Sequence, residues 1–151
     1  MKRKNTQKGF SLIELLVVST VIIVITTIGL VSFTSAGKGA RDGKRKADLE
    51  AVRQALVLYK ADGNAYPTGA GTNGSYVTVS ASLISAGYLS NPRPDDPKNT
   101  APYQYSYYAP ATGDSFCLCA YAEDDDIANQ SATNCPLLGL STPAYYCVQN
   151  P

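Results

Sequence analysis

The feature that most constrains this chain is an apolar stretch near its N-terminus, residues 8–33, KGFSLIELLVVSTVIIVITTIGLVSF. From Ser11 to Phe33 every residue but one is apolar or small and uncharged. At about 1.5 Å per residue such a run crosses the ~30 Å hydrocarbon core of a bilayer as a helix. The exception is Glu14. A carboxylate on a lone membrane helix costs roughly 2.5–3.5 kcal/mol, so it needs a cation at the same depth. No basic residue lies between Lys8 and Lys38. A cut between Gly9 and Phe10 would supply one, an α-ammonium about one helical turn from Glu14. The acid would then meet its own amine, or that of a neighbour in a packed bundle.

Two simpler readings compete. A secretory signal peptide also begins basic (Lys2, Arg3, Lys4, Lys8) and turns apolar. Its apolar core, however, is only about 7–15 residues and closes on a small-residue cleavage site. This run is longer, and SFTSAGKGA (32–40) is a faint candidate for such a site. A plain signal anchor explains the length but neither Gly9-Phe10 nor Glu14.

The segment KGFSLIELLVV (8–18) resembles the processing signature of type IV prepilins and the related type II secretion pseudopilins: basic leader, Gly, Phe, three residues, Glu, then an apolar helix. The resemblance implies that a prepilin peptidase cuts after Gly9 and N-methylates Phe10. It implies that Glu14 guides docking of identical or related subunits in a filament built by pilus or secretion assembly machinery. It also implies a pilin-like α+β fold, a long N-terminal helical spine bearing a small antiparallel β-sheet head. A second segment, KADLEAVRQALVLYKADGNAYP (46–67), is similar to the passage from stalk to head in pilins and major pseudopilins. One departure is that many members carry a helix-kinking proline in the second half of the apolar segment. Here Gly29 is the only break. The expected organisation is a leader over 1–9, a transmembrane and assembly helix over 10–36, an amphipathic stalk helix over 37–62, and an extracytoplasmic head over 63–151.

Charge supports this division. The net charge of +1 becomes −3 once the four cations of the leader are removed. From Gly63 onward two basic residues, Arg93 and Lys98, face seven acidic ones. An acidic head argues against nucleic-acid binding there. Lys38, Arg41, Lys44, Arg45 and Lys46 follow the apolar run closely, so the positive-inside rule does not decide orientation. The motif and the cysteines both place the N-terminus inside and the head outside.

Those cysteines, Cys117, Cys119, Cys135 and Cys147, all lie in the last 35 residues. Beyond a membrane helix, that clustering predicts an oxidising compartment and up to two disulfides. Cys117 and Cys119 share one face of a strand and are too close for an easy mutual bridge. Each is expected to pair with either Cys135 or Cys147. The competing reading is a zinc site, which would need all four cysteines because the chain has no histidine. The C-x-C spacing departs from the usual zinc pattern, so no metal and no cofactor is expected.

Within the spine, Gly37, Gly39 and Gly43 predict a flexible joint or a weakened part of one long helix. Leu49, Val52, Leu56 and Tyr59 form one apolar stripe of helical period. Arg45, Asp48, Arg53 and Lys60 are read as the opposite face, and Asp42 as an ion-pair partner of Lys46 four residues on. The basic cluster 38–46 reads as a solvated stalk face more readily than as a lipid-headgroup or nucleic-acid contact. Asp62-Gly63-Asn64 supplies the stop.

In the head, Tyr76–Ser80 reads as a strand and Ser80–Gly87 as a short helix ending at Gly87. Four prolines make Asn91–Pro102 irregular. YQYSYYA (103–109) and SFCLCAYA (115–122) read as a hairpin, with Phe116, Leu118 and Ala120 toward the spine. AYYCVQ (144–149) reads as a third strand. The run Glu123–Asp126 lacks the spacing of a calcium loop and reads as a solvated acidic loop, although major pseudopilins as a family have a calcium site in a late head loop. Eleven tyrosines suggest either an adhesive surface or small-core packing with wet hydroxyls, and packing is the expectation.

No nucleophile elbow, phosphate-cradling loop or ligand cluster of the usual spacing argues for an enzyme. The expected function is a structural pilin-type subunit. The cysteine-closed head leans it toward a surface pilus serving adhesion, motility or DNA uptake. The short helix, proline-rich loop and DPKNTAPYQY (96–105) are similar to the alternative, a major pseudopilin of a secretion system.

Overall fold

A computed structural model describes residues 9–63, 65–71, 73–128, 135 and 145–150. The leader before Gly9 and the segment 129–144, Cys135 excepted, lie outside these. The chain divides into two units, 1–37 and 38–151. Helix α1, Leu12–Ala61, belongs to both.

In the first unit α1 begins on a cap. Ser11 Oγ accepts a hydrogen bond from the Glu14 amide at 3.2 Å, one half of the Ser-x-x-Glu capping pattern. Every described side chain from Phe10 to Ala36 is exposed, including the isoleucines, valines and leucines. The stretch is long and apolar enough to cross a membrane by length and composition. Its few polar residues do not spoil it. Ser19, Thr20, Thr26 and Thr27 donate their hydroxyls to backbone carbonyls three or four residues back, at 2.8–3.1 Å, so none requires water. The helix runs unbroken through Gly29 and through 36–43, where a joint was one of two expectations.

In the second unit α1 buries Leu49, Val52, Ala55 and Leu56. Strand β1 (Gly69–Gly71), helix α2 (Asn73–Ser85), and strands β2 (Ser106–Ala109), β3 (Cys117–Tyr121) and β4 (Tyr145–Gln149) complete the described elements, with a 3₁₀ turn at Asp125–Ile127. The sheet is antiparallel throughout in the order β1-β2-β3-β4. The fold is α+β and pilin-like, a long N-terminal helix with a small antiparallel sheet.

The period of two along the strands divides the sheet into two faces. Tyr105, Tyr107, Ala109, Phe116, Leu118 and Ala120 enter the main core with the α1 stripe and with Tyr76, Val79 and Leu83 of α2. Cys117 and Cys119 point the other way and form a second buried cluster with Cys135.

Three expectations are corrected here. Tyr76–Ser80 is not a strand but the middle of α2. Its β-branched residues suggested extension, yet Tyr76, Val79, Ser80 and Leu83 are buried at i, i+3, i+4 and i+7, the helical period. The stretch after Tyr66-Pro67 through Gly74, whose glycines read as a loop, contains β1, whose small residues pair with β2 at Gly69↔Ala109 and Gly71↔Tyr107. The tyrosines do pack the core, but the buried hydroxyls bond to protein. Tyr107 Oη donates to the Pro67 carbonyl at 2.8 Å and Tyr105 Oη to Asp48 at 2.7 Å, while Tyr76 donates to the Pro94 carbonyl. Burial, with neighbouring acids in the cases of Tyr76 and Tyr105, pushes all three phenols well above their ordinary pKa.

Candidate functional site

Three groups of residues carry chemistry, and the first lies at the N-terminal end. Gly9 and Phe10 precede the helix and Phe10 is 85% exposed. Glu14 occupies the first turn of α1, where a carboxylate is favoured by the unpaired amides of the helix start. A Cβ added to Gly9 would meet nothing within 4 Å among the described residues.

The second group was not anticipated. Arg45, read as part of a solvated face, is 1% exposed, and Asp42 is 2% exposed. The Arg45 guanidinium donates to both oxygens of Asp96, at 2.6 and 3.1 Å, to Asp42 at 2.6 Å and to Glu123 at 2.9 Å. Arg41 grips Glu123 with two bonds of 2.7 Å, and Lys98 Nζ reaches it at 2.8 Å. Asp42 in turn accepts the backbone amides of Glu123 and Asp124 at 3.0–3.1 Å. Three cations and three carboxylates thus balance in one closed cluster. It joins α1 to the proline-rich loop and to the segment after β3.

The protonation of these groups follows from the contacts. The Arg41 fork holds the Glu123 carboxyl far below its usual range, helped by Lys98 and Arg45 and opposed by burial. Burial works against the Arg45 charge, but its bonds to Asp96, Asp42 and Glu123 outweigh this and raise its pKa. Asp96 is buried too, which alone would raise it; Arg45 and the amides of Lys98 and Asn99 bring it below normal.

Glu123 is therefore buried and paired, not the start of a solvated loop. Asp124 and Asp126 remain exposed. Asp42 pairs with Arg45 rather than Lys46. A signal for this was present. Counting back from Leu49, Arg45 falls at four residues and Asp42 at seven, so both continue the apolar stripe and not its opposite face.

The third group is the cysteines. Cys117 is bridged to Cys135 and Cys119 to Cys147, and Cys119 stands directly opposite Cys147 in the β3–β4 ladder.

Comparison with known proteins now bears on these groups. The family profile for type II secretion system protein G matches residues 32–134, more than half of the chain. The chain belongs to the type II secretion system protein G family. A second profile, for the prokaryotic N-terminal methylation motif, matches residues 4–31 and covers Gly9, Phe10 and Glu14. Core protein G of the type II secretion system of Aeromonas hydrophila is 32% identical over 66 residues, 44% of this chain and 46% of its own length. The Escherichia coli K12 and Vibrio cholerae proteins of the same description are 32% and 31% identical over 68 residues. The chain thus aligns with about half the length of these relatives. No solved structure matches it. The protein G match reaches into the head, beyond the N-terminal motif that pilins and pseudopilins share. It moves the balance from the surface pilin, expected from the cysteines, to the pseudopilin.

Proposed function

We propose that this chain is a structural pseudopilin subunit of a type II secretion system. The prepilin peptidase removes residues 1–9 and methylates Phe10. The apolar part of α1 holds the subunit in the cytoplasmic membrane, N-terminus inside and head outside, until it packs with copies of itself or related subunits into a short periplasmic filament. The subunit performs no catalysis; its work is assembly. Apolar side chains gain little by exchanging lipid for a neighbouring helix, so order in the bundle must come from packing and polar pairing. Glu14 and the new α-ammonium of Phe10 supply that pairing.

The observation that carries this reading is the protein G match over residues 32–134, joined to a methylation motif at the start of the apolar helix. Deletion of the gene tests it, with two readouts. Loss of secreted proteins from the medium, with no change in surface fibres, is the expected result. Intact secretion with loss of long surface fibres would return the chain to the pilus reading.

A further inference from the structure

The cysteine cluster has a property that two disulfides do not require. All four sulfurs, of Cys117, Cys119, Cys135 and Cys147, lie within 4.8 Å of one another. Two of the four non-bonded separations are 3.6 Å, between Cys117 and Cys119, and 3.8 Å, between Cys119 and Cys135. A tetrahedral zinc ion with Zn–S bonds of about 2.3 Å sets its sulfurs about 3.8 Å apart. Two edges of that tetrahedron are already present. The C-x-C spacing, unusual for zinc in a turn, is explained by the strand: β3 turns residues i and i+2 to one face. Cys147 faces Cys119 from β4, and Cys135 closes the set. Cys117, Cys119 and Cys135 are buried, at 3%, 0% and 5% exposure. Such a site is closed, as structural zinc sites are, with no open position for a substrate.

We propose that the reduced head holds one zinc-class ion on these four thiolates, and that oxidation to the two disulfides excludes it. Both states tie β3, β4 and the Cys135 segment together, so the same closure of the head is available with and without an oxidant. The chemistry balances. A phosphine reductant and water convert each disulfide to two thiols and the phosphine oxide. Binding of a divalent ion by the four thiols then releases four protons and leaves a dianionic tetrathiolate.

The test uses the full chain in detergent micelles, reduced with a phosphine under argon and titrated with Co²⁺, then Zn²⁺. We expect saturation at one equivalent per chain at two different protein concentrations. The visible bands should be those of tetrahedral cobalt thiolate, lost on adding Zn²⁺. Zinc should also protect four thiols per chain from iodoacetamide. The chain has four cysteines and no histidine, so a four-sulfur spectrum at this stoichiometry can arise only here. The oxidised chain should bind none. If reduction loosens the head, recovery of its circular dichroism with one equivalent of metal supports the site equally. No saturable binding, an octahedral spectrum, one ion per two chains, or equal binding by the oxidised chain would each overturn it.

Discussion

At the scale of single residues, Arg45 separates what was legible from what was not. The helical stripe of Leu49, Val52 and Leu56 could be read directly because apolar periodicity is visible without any partner. Arg45 and Asp42 continue the same stripe, yet charge was taken as a sign of solvent. Their burial became evident only with Asp96 and Glu123 in place, 51 and 78 residues away from Arg45. Removing one member of a buried ion cluster leaves the others uncompensated, typically at about 3–5 kcal/mol. Arg45→Met should therefore destabilise the head by about that much in urea unfolding. Arg41→Ala, which removes a partly exposed partner, should cost at most about 1 kcal/mol. The cluster also fixes a pH dependence. Asp96 and Glu123 both titrate below their ordinary values in the folded chain. Their contribution is complete above about pH 4, near the unfolded carboxylate values, and is lost as pH falls from there toward the folded ones. Melting temperature measured from pH 7 down to strongly acidic conditions should drop below about pH 4. Glu123→Gln should begin from a lower melting temperature and flatten that drop.

At the scale of elements, the turn between β2 and β3 makes a sharp case. Gly113 has φ +64, its amide bonds the Pro110 carbonyl at 3.0 Å, and its carbonyl accepts the Tyr66 amide at 3.0 Å. A Cβ there would sit 2.7 Å from Cβ of Ala65. Gly63 has φ +87 but open space around it. Gly63→Ala should cost about 1 kcal/mol, the left-handed backbone penalty alone. Gly113→Ala should cost clearly more, because strain and a clash act together; equal melting temperatures for the two variants would contradict this. The hairpin itself was legible, since a tyrosine-rich segment and an alternating one with Phe116, Leu118 and Ala120 on one face flank a Pro-to-Gly turn. So were the end of α1 and the irregular proline-rich loop. Of helix α2 only the part from Ser80 was legible; the part before it was not, because Val77, Thr78 and Val79 favour extension locally while burial of Tyr76, Val79 and Leu83 against the main core decides otherwise. β1 was hidden for a different reason: its glycines carry no pattern at all, and only pairing with β2 makes them a strand.

At the scale of the whole molecule, processing and assembly make separable demands on the N-terminal segment. A Cβ at Gly9 meets nothing within 4 Å among the described residues, and the position precedes the helix. Loss of cleavage in Gly9→Val would therefore arise in the peptidase cleft and not from misfolding. Glu14→Ala keeps the helix start, because Ser11 caps the backbone amide of residue 14 and not its side chain. Insertion and cleavage should then be normal, and the mature chain should begin at N-methylated Phe10. What it lacks is the acid proposed to compensate the new α-ammonium in a packed bundle, where an unpaired charge is costly. Mass spectrometry of the membrane fraction and of filaments isolated from the periplasm distinguishes the two. Gly9→Val should leave a chain retaining its leader in the membrane fraction. Glu14→Ala should leave a processed, methylated chain in that same fraction and none in filaments. Filaments of normal abundance from Glu14→Ala would remove the charge pair from the assembly mechanism and leave helix packing alone to order the bundle.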